Sequence, residues 1–121
     1  MKPEEKDLLL KDLCARLPYG VHIWTNDKKH LELWSVELDE NDVYWVNSVY
    51  EVDEVKPYLR PMSSMTEEEK LEFSLVPIYA FVHFNEIAKM DWLNEHHFDY
   101  RGLIDKGLAI EVTEENNPYK D

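Results

Sequence analysis

The stretch VHIWTNDKKHLELWSVELDENDVYWVNSVY, residues 21–50, decides the fold class. It holds three apolar runs, VHIWT (21–25), LELWSVEL (31–38) and DVYWVNSVY (42–50), rich in the β-branched and aromatic residues that suit a pleated surface. In the first, Val21 and Ile23 alternate with His22 and Trp24; in the second, Leu31 and Leu33 oppose Trp34, Val36 and Leu38. The polar segments NDKKH and DEND between them have the composition and length of hairpin connections. The reading is a three-stranded antiparallel meander, with Trp24, Trp34 and Tyr44 paired across strands on one face. Few basic residues flank that face, which disfavours nucleobase stacking, and a helix is expected to cover it.

Outward on the N-terminal side, Pro3, Glu4, Glu5 and Asp7 suit the first turn of a helix, and Arg16 suits its last. Leu9, Leu10, Leu13, Cys14 and Leu17 recur at helical spacing and form one apolar stripe, which Pro18 and Gly20 end. That stripe makes Cys14 a small core hydrophobe rather than a nucleophile.

On the C-terminal side, EVDEVKPYLRP (51–61) spaces Val52, Val55 and Tyr58 by three and predicts one short helical turn, with Pro57 and Pro61 preventing more. Thr66-Glu67-Glu68-Glu69 has the pattern of a capping box opening a helix that ends before Pro77. Ile78–Val82 reads as a fourth strand. A helix from about Asn85 follows, with Ile87, Met90, Leu93 and His97 along one side and Trp92 beside them. Asp99 is placed to cap a short helix over Tyr100–Lys106 that Gly107 stops, and AIEV (109–112) adds an edge strand. Residues 1–112 then form a single globular domain, and 113–121 a flexible acidic tail.

Composition bounds the function. Hydrophobic residues are 44% of the 121, enough for a core, and a lone cysteine excludes an internal disulfide framework or a multi-cysteine zinc site. The N-terminus carries acids where a signal peptide needs an apolar run, and no apolar run reaches the length of a membrane span. A cytoplasmic protein without membrane contact is expected. The net charge of −13 opposes phosphates, which disfavours direct nucleic-acid binding. It serves either colloidal solubility or attraction to a basic partner protein. The acids offered to such a partner fall in three groups: Glu37, Asp39, Glu40 and Asp42; Glu51, Asp53 and Glu54; and Glu67, Glu68 and Glu69.

Chemistry-bearing motifs are scarce. The histidines are 22, 30, 83, 96 and 97. Adjacent His96 and His97 point about 100° apart on a helix and do not readily share an ion. Asp91 with Glu95, and His96 with Asp99, have helical spacing but no third ligand, so neither a metal nor any other cofactor is expected. An acid/base site from His96 or His97 with Asp91 or Asp99 is the enzymatic alternative, and it lacks a matching nucleophile or phosphate loop. Arg101 reads first as an internal ion-pair partner holding the C-terminal helices together, and second as a contact for a partner's carboxylate.

The blocks KDLCARLPYGV (11–21), VKPYLRPMSSMTEEE (55–69) and DWLNEHHFDYRGLIDKGLA (91–109) resemble, in the same order, the signature blocks of a family of small proteins. That family belongs to Bacteroides-type gut bacteria, their mobile elements and their phages. The resemblance implies a bacterial or phage-associated setting and brings no activity, cofactor or catalytic residue. The combined expectation is an α+β domain: a small antiparallel sheet of three to four strands, packed by an N-terminal helix and C-terminal helices. Its expected role is a non-enzymatic acidic protein-interaction module, in its sharpest form a DNA mimic that inhibits a basic partner; homo-oligomers are compatible with it.

Overall fold

Helix α1 (Pro3–Arg16) begins as its sequence dictates, with Pro3 presetting φ and Glu5 reaching back to the Lys2 N–H at 2.9 Å. Its buried side is Leu9, Asp12, Leu13 and Arg16. Cys14, expected on the buried stripe, is exposed. It lies about 100° round the helix from Leu13, and the inward positions beside the leucines go to Asp12 and Arg16 instead. In this computed structural model residues 1–76 and 85–120 are described, so the strand expected at 78–82 lies outside the described residues.

The chain is α+β, but the expected meander divides between two sheets. Strands β1 (His22–Thr25) and β2 (His30–Glu32) form an antiparallel hairpin within a five-stranded sheet. Strands β3 (Val36–Leu38), β4 (Tyr44–Val46) and β5 (Tyr50–Glu51) form a separate antiparallel sheet. Asn47 makes the break. Its side-chain carbonyl accepts from the Trp34 and Ser35 N–H groups at 2.8 and 3.3 Å, and its amide donates to the Glu32 carbonyl at 2.9 Å. Backbone groups that a neighbouring strand would satisfy are satisfied by a side chain, so the chain can leave one sheet for the other. Trp24, Trp34 and Tyr44 therefore share no face: Trp24 lies opposite His30 and Lys56, and Trp34 is 63% exposed.

The second correction concerns residues 52–61. Only Val52–Glu54 make a helical turn; β6 (Val55–Pro61) is the longest strand, with Val55, Pro57 and Leu59 buried at period two. Asn26 N donates to Glu54 O at 2.8 Å, which sets the ladder parity between β1 and β6. Pro57, opposite Ile23, falls on a non-hydrogen-bonded pair, so its missing N–H leaves no gap toward β1.

Two short parallel strands complete the sheet: β7 (Phe98–Asp99) and β8 (Ile110–Glu111), both beside β6. Arg60 N donates to His97 O, whereas Leu59 O accepts from Val112 N, each at 2.8 Å. The N–H and C=O of one peptide unit point to opposite flanks, so β7 and β8 lie on opposite sides of β6, and β7 continues the flank begun by β1.

Helix α2 (Glu67–Leu75) carries the expected capping box, with Glu69 N donating to Thr66 Oγ1 and Thr66 N to Glu69 Oε1. Helix α3 (Asn85–Glu95) turns Trp92, Leu93 and Asn94 inward, while Ile87 and Met90 are exposed. Trp92 stacks between Phe73 and Phe98, which rotates the helix away from the expected Ile87–Met90–Leu93–His97 side. These rings, with Met65, Val76 and Tyr100, make a second core beside the main one, where Leu9 and Leu13 of α1 meet Val21, Ile23, Val55 and Leu59 of the sheet. Residues Tyr100–Lys106, expected as a short helix, are not helical, and 103–107 are turns. Asp99 still caps them, accepting from Leu103 N and Ile104 N at 2.9 Å, and Gly107 closes them with φ +73°. Among the described residues no helix is long and apolar enough to cross a membrane.

Candidate functional site

The histidine pair of the 91–109 block lies at the end of α3, with the two rings in different surroundings. His96 lies 4.1 Å from the Trp92 ring, centroid to centroid, and its Nε2 is 3.7 Å from Glu72 Oε1. His97, just past the helix end, has φ +64° and stacks on Tyr119 at 3.6 Å. Burial, then the nearby Arg16 charge, lowers its pKa to about 4, and its Nδ1 is buried without a hydrogen-bond partner. Of the carboxylates, Asp99 is engaged as the cap of the following turns and Asp91 is exposed. His97 therefore stays neutral near pH 7 with no carboxylate to polarise it, and the four residues His96, His97, Asp91 and Asp99 do not converge.

Arg101 makes the internal ion pair expected of it, but with a partner far away in sequence. Its Nη1 donates to Asp12 Oδ1 at 2.8 Å, while Arg16 Nε donates to Asp12 Oδ2 at 2.8 Å. Arg16 Nη2 continues to the Phe98 carbonyl at 2.6 Å, and Arg16 and Arg101 both lie over the Tyr100 ring. Asp12 and Arg16 are fully buried. The link runs from α1 to the C-terminal turns, not between C-terminal helices, and Arg101 is spent on it. Periodicity conceals such a pair, because Asp12 and Arg16 at i and i+4 look like an ordinary surface pair.

A second cluster lies where β1 gives way to β7 along β6. The Tyr119 hydroxyl accepts from His22 N at 3.0 Å and donates to Tyr58 O at 2.8 Å, taking the place of a ladder bond. Burial raises its pKa further above the usual phenol value, so it remains a donor. Tyr119 thus anchors the segment expected to be a tail. On the outer face of the hairpin, His22 Nδ1 and His30 Nε2 are 2.8 Å apart. Glu32 is directly opposite His22, and burial, with His30 beside it, lowers the His22 pKa.

The acids expected to meet a partner divide by role. Asp39 accepts from Asn41 N, Val43 N and the Trp45 indole N–H, which holds its carboxyl below the usual range and makes it part of the β3–β4 turn. Asp53 is 3.7 Å from Lys6 Nζ; Glu54 accepts from Glu51 N and Asn26 Nδ2. Glu69 takes a bidentate pair of 2.7 Å bonds from Arg60, which with the Thr66 contacts lowers its pKa to about 2. Glu67 is 3.2 Å from Lys70 Nζ. Glu37, Trp45 and Glu51 form one row across β3, β4 and β5, flanked by the exposed Glu40 and Asp42 of the turn. Glu67 and Glu68 sit past the other end of β6, about 20 Å from Glu54 at strand spacing.

Beside the acid row the same sheet exposes apolar side chains. Leu38 faces Tyr44 across the ladder on the face opposite the acid row, and Trp34, just ahead of β3, lines with Val49 and Tyr50 a groove of about 470 Å³ that also takes in Lys29, Leu31 and Glu32 of the β1–β2 hairpin. Trp34 and Val49 are 63% and 65% exposed. Among the described residues, no three or more His, Cys, Asp or Glu side chains are arranged as a metal-binding group. No protein-family model, curated protein or solved structure matches the chain.

Proposed function

We propose that the protein is a non-enzymatic interaction module that binds a basic partner protein through its small three-stranded sheet. The observation that carries this reading is exposed Trp34 just ahead of β3, together with acids on β3 and its following turn that the fold leaves unused. Asn47 is buried and grips the backbone on both sides of Trp34, so the indole is presented on a fixed support rather than on a loose loop. An anchored tryptophan loses little freedom on docking and supplies a large contact area. Glu37 on β3, with Glu40 and Asp42 in the β3–β4 turn, supplies attraction to positive charge. The resemblance of the three sequence blocks puts this module in a bacterial, phage or mobile-element setting. A DNA-mimicking inhibitor is the sharper form, and it rests on the acids of residues 37–54, since those of α2 lie at the far end of β6.

The test is capture from host lysate at low and high salt, with wild type, a Glu37→Lys/Glu40→Lys/Asp42→Lys variant and Trp34→Ala. A basic protein is expected to bind wild type at low salt, to be lost at high salt, and to be lost from the charge variant. Trp34→Ala is expected to weaken capture tenfold or more without lowering the thermal midpoint. Competition by duplex DNA for the captured protein checks the mimic form. Capture that ignores both salt and the charge reversal removes the proposal.

A further inference from the structure

We propose that the outer face of the β1–β2 hairpin is a binding site for a divalent late transition-metal ion, with Zn²⁺ as its natural probe, held by His22 Nδ1, His30 Nε2 and Glu32. Two imidazole nitrogens from adjacent strands already meet in a hydrogen bond, which puts both within reach of one ion. They stand 2.8 Å apart, with ring centroids at 4.9 Å and an interplanar angle of 46°. A tetrahedral ion with bonds of about 2.0–2.1 Å needs its two nitrogens about 3.3 Å apart. Opening by about half an ångström, together with a swing of about 35° by each ring so that the two lone pairs converge on one point instead of facing each other, converts the hydrogen bond into a chelate.

Glu32 supplies the third ligand from the same face. It is the cross-strand partner of His22 and two residues from His30, so all three side chains leave the sheet on one side. A Cβ on Gly20 would stand 2.8 Å from Glu32 Oε1, so the absence of a side chain there leaves room for the carboxylate next to β1. In the metal-free structure the three groups are not yet arranged around one point; rotation of Glu32 about its side-chain bonds completes the set, and water fills the fourth position. Imidazole and carboxylate ligands suit Zn²⁺, Ni²⁺ and Cu²⁺ rather than Mg²⁺ or Ca²⁺. His97, with Nδ1 turned inward, is not a ligand. The backbone behind the clamp is fixed by the Tyr119 hydroxyl on His22 N.

Calorimetric titration of Zn²⁺ alone into the full chain at pH 7.5 tests the site. One equivalent is expected to bind in the micromolar range, and Mg²⁺ is expected not to compete. His30→Ala, whose side chain is exposed and whose loss should leave the fold intact, is expected to weaken binding tenfold or more, as is Glu32→Gln. His96→Ala is the control and should leave binding unchanged. Lowering the pH to 5.5 should weaken binding, because protons compete for both imidazoles. Circular dichroism of each variant separates loss of ligand from loss of fold, and the visible spectrum of the Co²⁺ form reads the coordination directly. No binding by wild type, or binding unmoved by His30→Ala and Glu32→Gln in folded protein, overturns the site.

Discussion

With both oxygens engaged by arginines from α1 and from the C-terminal turns, Asp12 carries a link that no apolar contact could replace in kind. Removing it leaves two guanidinium groups facing each other in or near the core, one of them fully buried. Asp12→Ala is expected to cost about 3–5 kcal/mol, the range for breaking a buried pair from one side; urea denaturation measures it. A loss below about 1 kcal/mol would mean that the network contributes little. Residue types alone do not disclose this link, since Arg16 suits the end of a helix and the stripe of leucines with Cys14 assigns Asp12 no inward place. Asp99 and Thr66 were legible, because caps are local and their partners lie within a few residues. Arg101 was half legible: the need for an acid follows from its position, whereas the acid 89 residues away does not.

Strand β6 is the element that sequence periodicity hid. Its two prolines argue for a break, yet Pro57 sits where the ladder toward β1 asks for no donor, and the inward set Val55, Pro57, Leu59 has period two. A competing spacing of three, through Val52, Val55 and Tyr58, is as visible in the text, and only the pairing with β1, β7 and β8 decides between them. Splitting of the meander was hidden for the same reason, because Asn47 acts through backbone groups 12 to 15 residues away. At the junction of β1 and β7, Tyr119→Phe removes one hydroxyl that serves both His22 N and Tyr58 O. The expected loss is about 1–3 kcal/mol, the cost of leaving such groups without a partner. Amide exchange should localise the change, with the His22 amide losing protection ahead of Val46. Equal loss at both amides would argue for general weakening rather than an opened junction.

At the scale of the whole molecule, pH separates two stages of acid loss. His97 has a folded pKa of about 4, below the ordinary histidine value of about 6.5, so the unfolded chain takes up its proton first. Its contribution is complete above pH 6.5 and is lost as the pH falls to 4, at no more than about 1.4 kcal/mol per pH unit. Glu69, lowered to about 2 chiefly by Arg60, adds a second loss from about 4.5 downward. Denaturation midpoints from pH 8 to pH 3 should show this order, and His97→Asn, which tolerates the positive φ, should flatten the first stage alone. An unchanged slope above pH 4.5 in that variant would place the first stage on another group.

The Tyr119 contact has a consequence for the making of the protein. His22 N and the Tyr119 hydroxyl are 97 residues apart, Asp12 and Arg101 are 89 apart, and β6 needs β7 and β8 beside it. During synthesis from the N-terminus, the hairpin and α1 emerge long before the groups that close over them. Until then they carry an incomplete sheet flank, and Arg16, although paired with Asp12 inside α1, has no Phe98 carbonyl to meet its Nη2. Nascent chains halted before residue 99 should engage holding chaperones and yield to protease, whereas chains that expose residue 119 beyond the ribosome should resist. The timing of folding is thus set by residues 98–119, which emerge after the elements they close over.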